Sequence, residues 1–162
     1  MSSRLRPALT LVEQPESRPA SPSVSFCGHC GVRPAVANSQ SRVCTSCGLG
    51  LLLEASADVA PAKGQAFLVI DASLSVCAVS RAAEKLLATD ETTAVNRHLT
   101  ELVVPAEAEQ NTENLAIAVT WAARGDGGTR TVTVRPANTF GVRMAARIAS
   151  CGPPRAALLV FE

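Results

Sequence analysis

Two closely spaced cysteine pairs constrain this chain more than any other feature. They are Cys27-Gly-His-Cys30 and Cys44-Thr-Ser-Cys47, and residues 31–43 separate them. Two residues between cysteines let both sulfurs of a pair reach one metal ion from a single tight turn. A second such turn completes a tetrahedron of thiolates, which suits Zn²⁺ in a structural role. The spacing therefore predicts a structural zinc site with four ligands: Cys27, Cys30, Cys44 and Cys47.

The residues beside the cysteines agree with this prediction. Gly31 and Gly48 each follow a pair, and glycine readily takes the positive φ that turns backbone N–H groups back toward the sulfurs. His29 could replace a cysteine as a ligand, but four thiolates already satisfy zinc, so we expect an exposed histidine. The alternatives for the four cysteines are two structural disulfides or four free thiols.

Length and charge exclude several classes of protein. The chain has 162 residues and a net charge of +1, which gives no overall electrostatic bias toward nucleic acid or an anionic membrane. It contains neither a secretory signal nor an apolar run long enough to cross a membrane. Cys77 and Cys151 lie apart from the pairs, and free thiols beside a metal site fit a reducing compartment. We therefore expect a cytoplasmic protein without membrane contact.

Changes in composition divide the chain into four segments. Residues 1–24 are rich in Pro, Ser, Arg and Glu and are predicted to be a disordered tail. Residues 25–50 form the zinc ribbon, which is too small to fold without its metal. Residues 51–64 are predicted to be a linker, and the apolar run 49–53 is expected to pack the ribbon against the next domain or to form a strand or short helix that enters it. Residues 65–162 form the main domain.

The main domain has strand patterns at both ends and helical patterns between them. Apolar runs at 66–70 and 75–79 predict a hairpin, and Ser80 is a fitting N-cap for a helix that ends at Ala88. Short helical turns and a helix over 106–124 follow. Three further strands are predicted over 129–135, 142–149 and 156–161. The expected fold class is α+β, a five-stranded antiparallel sheet with helices on one face.

This order of elements, together with three short motifs, resembles a PAS domain. The motifs are Phe67-Leu-Val-Ile-Asp71, Val76-Cys-Ala-Val-Ser80 with the following Arg81-Ala-Ala-Glu-Lys-Leu-Leu87, and Asn96-Arg-His-Leu-Thr-Glu-Leu102. The last is similar to the Gly-Arg-x-Leu-x-Glu-Leu element of the family, with asparagine in place of glycine. The resemblance covers Gln65 to Glu162. It implies a sensory and protein-interaction module whose cavity, between sheet and helices, holds haem, flavin or a small metabolite, or nothing.

Neither haem nor flavin is expected here. The Asn-Cys-Arg-Phe element of the flavin-binding subfamily is absent, and the segment 106–124 contains no histidine that could serve as an axial haem ligand. The alternatives for His98 are a haem ligand or pH switch and, as we expect, an ordinary polar residue of its motif. If Val76 and Ala78 face solvent, Cys77 faces the cavity, while Cys151 lies in a turn. The cofactor-binding residues and the ligand of the domain remain unknown.

The sequence favours a regulatory protein over an enzyme. It contains no catalytic Ser/His/Asp arrangement, phosphate loop or kinase motif, so we assign no catalytic residues. Arg33 and Arg42 lie between the cysteine pairs without an aromatic side chain for base stacking, so nucleic-acid binding is not favoured. We expect a cytosolic signalling protein that acts through a protein partner or as a homodimer, with a role in transcription regulation. The alternatives are a thiol redox sensor that releases zinc on oxidation and a nucleic-acid-binding transcription accessory protein.

Overall fold

The computed structural model describes residues 21–35, 41–106, 112–126 and 128–162. Most of the predicted tail, residues 1–20, therefore lies outside the described residues. The strands are β1 (Ser23–Cys27), β2 (Leu52–Ser56), β3 (Phe67–Ile70), β4 (Val76–Val79), β5 (Val103–Pro105), β6 (Arg130–Pro136), β7 (Met144–Gly152) and β8 (Ala156–Phe161). The helices are α1 (Arg81–Leu87), α2 (Glu91–Ala94) and α3 (Thr112–Ala123), with a 3₁₀ turn at Leu99–Glu101.

All paired strands belong to one antiparallel sheet, and its strand count corrects the prediction. The five predicted strands are present and lie side by side in the order β4-β3-β8-β7-β6. The described part of the chain adds three more, so the sheet has eight strands. Short β5 pairs with β6 at the edge, and the β1–β2 hairpin of the cysteine module joins through β2 and β7. The prediction of five strands omitted β1 and β2, because their partners are distant in the sequence. It omitted β5 because that strand has only three residues.

Strand β7 has two different partners on the same side. Its first part, Met144 to Ile148, pairs with β6, and its last residues, Cys151 and Gly152, pair with Ala55 and Glu54 of β2. Strands β2 and β6 therefore follow one another along a single edge of β7. The segment 51–64, predicted as a linker, contains β2 and contributes to this pairing; the division into domains remains a prediction.

The start of α1 is fixed by one buried serine, as the sequence predicts. The Ser80 hydroxyl accepts a hydrogen bond from the backbone N–H of Ala83 at 3.2 Å, which is the N-cap interaction. The same oxygen accepts a bond from the N–H of Phe67 at 2.9 Å. Ser80 thus joins the first turn of α1 to the beginning of β3.

The sheet has a hydrophobic core on each face. On the helical face, residues of β3, β4, β7 and β8 pack against α1 and α3, with Leu68, Ile148 and Leu159 among the fully buried side chains. On the opposite face the β1–β2 hairpin and the segment after it cover the sheet. The residues of this second core are Phe26, Leu53, Ala55, Val59, Ala60, Phe67, Val69, Ala149, Cys151, Ala156, Leu158 and Val160.

The two remaining cysteines lie in other environments than the sequence suggested. On β4, Val76 and Val79 are buried whereas Cys77 is exposed, because a register shift between Val69 and Ile70 interrupts the simple alternation of sides. Cys77 therefore does not face a cavity. Cys151 is in β7 rather than in a turn, and its thiol is buried in the second core. Burial raises the pKa of Cys151 to about 12.

Candidate metal centre

The four paired cysteines are brought together by the β1–β2 hairpin. Cys27 ends β1 and pairs with Leu52 of β2. Beyond this pair the N–H of Gly28 still donates across the hairpin, to the carbonyl of Leu51 at 2.9 Å. The second cysteine turn is closed by the N–H of Cys44, which donates to the carbonyl of Gly50 at 2.8 Å. The two cysteine-containing turns consequently face each other at one end of the hairpin.

The sulfur atoms have the separations of a tetrahedral metal site. The Sγ atoms of Cys27 and Cys47 are 3.6 Å apart, those of Cys30 and Cys44 are 3.9 Å apart, and all four lie within 4.8 Å of one another. A Zn²⁺ ion with Zn–S bonds of about 2.3 Å places its sulfurs ~3.8 Å apart. All four cysteines are free thiols rather than disulfides. The cluster can therefore hold one metal ion such as zinc.

Backbone N–H groups point toward two of the sulfurs. The N–H groups of His29 and Cys30 lie 3.4 Å from Sγ of Cys27, and that of Gly50 lies 3.5 Å from Sγ of Cys47. The predicted glycine geometry is confirmed, since Gly31 and Gly48 have φ values of +71° and +69°. Such hydrogen bonds stabilise thiolates, which are the form that binds metal.

Burial and hydrogen bonding act in opposite directions on the thiols. Burial raises the pKa of Cys27 to about 12, more than the hydrogen bonds from Cys30 and His29 lower it. For Cys47, burial again raises the pKa. There the N–H groups of Gly50 and Leu49 and the thiols of Cys27 and Cys30 prevail, and they lower the pKa to about 6. Burial therefore prevails at Cys27, and hydrogen bonding prevails at Cys47.

Gly50 is a site residue that the spacing of the cysteines does not reveal. It is buried, and a Cβ atom added there would lie 2.8 Å from the backbone nitrogen of His29 and would also overlap Sγ of Cys27. The chain can approach the first cysteine turn this closely only because residue 50 has no side chain. The double glycine of Gly48-Leu-Gly50 is the only sequence signal for this contact.

His29 corrects the expectation of an exposed side chain. It is only 6% exposed, and its Nδ1 lies 3.4 Å from a carboxylate oxygen of Glu91, the first residue of α2. Its carbonyl accepts a hydrogen bond from the N–H of Arg81, the first residue of α1, at 3.0 Å. The first cysteine turn is thus bound to both short helices. A sequence pattern could not reveal this, because residues 29 and 91 are far apart along the chain.

The other candidate residues, His98, Arg33 and Arg42, make contacts that stabilise the fold. His98 caps the 3₁₀ turn, with its Nδ1 at 2.8 Å from Oγ1 of Thr100. The Arg33 guanidinium donates to the carbonyl of Ala60 at 2.7 Å, and that of Arg42 donates to the carbonyl of Pro153. Both arginines between the cysteine pairs therefore hold the module against the rest of the fold.

A groove of about 660 Å³ lies between α3 and β6. Trp121, which is 50% exposed, lines it together with Ile117, and the Arg130 guanidinium lies 4.9 Å from the centre of a Trp121 ring. It is the part of the described fold where sheet and long helix leave space for a ligand.

Comparisons with known proteins find similarity only among solved structures. No family model matches the chain, and no curated protein matches it. Among solved structures, it is similar to the PAS domain of nitrogen regulation protein NR(II) from Vibrio parahaemolyticus. The two share 18% sequence identity with a TM-score of 0.46, and the match covers 61% of this chain and 88% of that domain. None of the described helices is long and apolar enough to cross a bilayer.

Proposed function

We propose that this protein is a regulatory module in which a structural Zn²⁺ ion holds a small ribbon against a PAS-like sensor sheet. The observation that carries the metal half of this proposal is the convergence of four sulfurs within 4.8 Å. Thiolates are soft ligands, and a set of four favours Zn²⁺ over the hard cations that prefer oxygen. Cys27, Cys30, Cys44 and Cys47 would be its ligands.

The proposed metal has a structural and not a catalytic role. Four protein ligands complete the tetrahedron and leave no position open for water or substrate. The ion supplies folding free energy to a hairpin too small to stabilise itself. Because the ribbon contacts α1 and α2 through His29 and the sheet through Phe26, its stability is linked to that of the sensor half.

Two observations support the sensor half. The strands β4-β3-β8-β7-β6 lie in one antiparallel sheet with α1 and α3 on a single face, and the motifs that resemble PAS domains occupy β3, β4, α1 and the 3₁₀ turn. The groove beside Trp121 offers a place for a small ligand. In this proposal the protein is cytoplasmic and non-enzymatic, and it passes a signal to a partner, with transcription as the process regulated.

The ribbon offers an apolar surface for such a partner. Leu49 is 69% exposed, Leu51 is 50% exposed and Val43 is 41% exposed, and Val43 and Leu51 form an isolated bridge beside the cysteine turns. We propose that these three side chains contact a second copy of the chain. Sedimentation equilibrium should show a dimer that Leu49→Ser with Leu51→Ser converts to monomer; a wild-type monomer at all concentrations would contradict self-association.

Native mass spectrometry of the purified chain tests the proposal most directly. We expect one zinc ion per chain, lost on treatment with a chelator at low pH and restored by added Zn²⁺. Cobalt substitution should give the intense visible absorption of tetrahedral thiolate coordination. A chain that folds fully without metal, or that contains a 27–30 or 44–47 disulfide under reducing conditions, would refute the zinc-ribbon assignment.

One observation favours the redox alternative. Cys30 and Cys47 are partly exposed, so an oxidant can reach two of the four sulfurs while Cys27 and Cys44 stay buried. Peroxide would oxidise two thiolates to a disulfide, itself being reduced to water, and the metal would be released. Zinc release at micromolar peroxide that a thiol reductant reverses would support this function. Retention of zinc under these conditions would contradict the redox function, and the structural role alone would remain.

A further inference from the structure

A second pocket lies at the junction between the cysteine module and helix α1 of the sensor half. It has a volume of about 410 Å³. We call it the lysine pocket, because Lys63 and Lys85, the two lysines of the whole sequence, both line it. Arg81 is its third cation, and the remaining lining residues are His29, Cys30, Val32, Gly64, Gln65, Ser80 and Ala82.

Among the residues that the structure describes, the three cations of the lysine pocket have no carboxylate partner. The ion pairs within residues 21–35, 41–106, 112–126 and 128–162 include those of His29, Arg97, Arg130 and Arg147. None of them involves Lys63, Arg81 or Lys85. A chain whose net charge is only +1 therefore concentrates three unneutralised positive charges around one concave site.

The local backbone keeps these charges on the same side. Arg81 and Lys85 are four residues apart on α1, which puts them on one face of the helix. Like charges at this spacing repel each other and destabilise a helix slightly. Lys63 approaches from the facing turn, where Gly64 has a φ of +81°. An anion bound between the helix and the turn would relieve this repulsion.

The two neighbouring carboxylates make their contacts with groups other than the three cations. The Glu84 carboxylate accepts a hydrogen bond from the N–H of Glu91 at 2.8 Å, and the Glu91 carboxylate lies beside His29, so both are engaged outside the cation cluster. A Zn²⁺ ion with four thiolates carries two net negative charges. Of the four sulfur-bearing residues that would carry this charge, only Cys30 lines the pocket.

A buried polar group gives the pocket a polar inner wall. His29 is 6% exposed, and its Nδ1 has no hydrogen-bond partner, although Glu91 lies 3.4 Å away. Buried polar atoms in folded proteins are nearly always paired. Here the neighbouring group is the Glu91 carboxylate of α2, so what His29 adds to the pocket is a polar surface on its wall.

From these observations we propose that the lysine pocket binds the phosphoryl group of a small phosphorylated molecule. A phosphate dianion offers acceptor oxygens to two ammonium groups and a guanidinium, and arginine can bind two of them at once. The pocket is larger than one phosphate group, so it has room for a short organic substituent. The cysteine module and α1 would then bind the ligand together, which gives the junction of the two halves a function of its own.

Titration of the full-length ¹⁵N-labelled chain, with its zinc content measured, tests this proposal. Inorganic phosphate and glycerol 3-phosphate are added in separate series, and sodium chloride at equal ionic strength is the reference. We expect saturable shifts of amides at Gly64, Gln65, Ala82 and Lys85 with phosphate or its ester. Saturation by the ester at lower concentration would identify the organic substituent as part of the ligand.

Variants decide whether the cations themselves bind the anion. Lys63→Ala with Lys85→Ala should weaken phosphate binding by about tenfold or more, as expected when charge-assisted hydrogen bonds are removed. Arg124→Ala, which removes one exposed positive charge beyond the end of α3, is the control and should leave binding unchanged. Amide spectra of the free variants verify that each is folded.

Two results would overturn the proposal. Shifts that grow linearly and match those caused by sodium chloride would mean that phosphate acts only through ionic strength. Lysine variants that lose zinc, with no saturable phosphate binding in the wild type, would mean that the cations serve only to balance the charge of the thiolate centre. The zinc measurement thus separates failure of this proposal from failure of the proposed metal site.

Discussion

Phe26 of the cysteine module packs edge-on against Phe67 of the main sheet, with ring centres 5.7 Å apart and ring planes at 86°. Both side chains are fully buried. This contact lies at the centre of the second core and joins β1 to β3, which are not neighbours in the sheet. It is the hydrophobic counterpart of the polar link between His29 and the helices.

Replacement of Phe26 should measure how strongly the two halves are connected. Phe26→Ala removes a fully buried ring and leaves a cavity, so we expect a loss of about 3–5 kcal/mol in the free energy of unfolding. Urea denaturation followed by circular dichroism provides the measurement. Phe140→Ala, at a ring that is 85% exposed, is the control and should change stability by no more than about 0.5 kcal/mol. Equal effects of the two variants would mean that Phe26 is not part of a shared core.

Loss of one metal ligand should act mainly on the hairpin. Cys44→Ser is expected to abolish zinc binding and the hydrogen-exchange protection of β1 and β2, because in the proposed structural role the metal stabilises that hairpin. The amides of β3 and β8 should stay protected, since the core on the helical face does not contain the hairpin. Cys77→Ser, at an exposed thiol, is the control. Equal loss of protection in all strands would show that the chain unfolds as a single unit.

Gly50 should be intolerant of even the smallest side chain. Gly50→Ala would put a Cβ atom 2.8 Å from the backbone nitrogen of His29, so the two cysteine turns would have to move apart. We expect weaker zinc binding, measured by competition with a chromophoric chelator, while the ligand set is unchanged. Gly128→Ala is the matched control, because its nearest neighbour would be 3.6 Å away. An unaltered zinc affinity in Gly50→Ala would contradict this packing.

The β3–β4 turn should weaken in acid because of Asp71. Partial burial raises the pKa of its carboxyl, but hydrogen bonds from the Ser73 hydroxyl and from the N–H groups of Ser75 and Ser73 prevail and hold it below the ordinary value. A depressed pKa means that the folded state favours the ionised form. The stabilisation is therefore fully present above the pKa of the unfolded chain and is lost as the pH falls through the folded value.

The variant Asp71→Asn tests the direction of this pH dependence of stability. The amide oxygen can still accept hydrogen bonds but does not titrate, so the variant should be less stable than the wild type at neutral pH, and the difference should shrink toward about pH 3. Urea midpoints at several pH values provide the measurement. A difference that grows in acid would mean that Asp71 destabilises the turn when ionised.

Local signals explain what could be predicted from the sequence. The Cys-x-x-Cys spacing is a property of single turns, and so the pairs Cys27/Cys30 and Cys44/Cys47 could be predicted to converge on one point, as they do. The strands β3, β4 and β8 were predicted nearly to their ends, because each is a short apolar run bounded by turn residues. The N-cap at Ser80 is equally local.

Long-range relationships explain what could not be predicted. The pairing of Ala55 with Cys151 joins residues almost a hundred positions apart, and nothing in either segment specifies the other. The burial of His29 depends on Glu91 and Arg81, which reach it only in the folded chain. The exposure of Cys77 follows from the register shift between β3 and β4, where Val69 and Ile70 pair with Ala78 and Val76, and the alternation that strand patterns assume is interrupted. The lysine pocket also depends on long-range structure, because residues 63 and 85 line one pocket only in the folded chain.

The pairing of β7 with both β6 and β2 limits which insertions and replacements in the sequence this fold can accept. One continuous strand carries β6 on its first part and β2 on its last residues, and a shift of one residue in a strand turns its side chains to the opposite face. An insertion within β7 would therefore put either the cysteine-bearing hairpin or the rest of the sheet out of alignment. A ribbon from another protein could be grafted here only if its second strand matched the phase of Cys151 and Gly152.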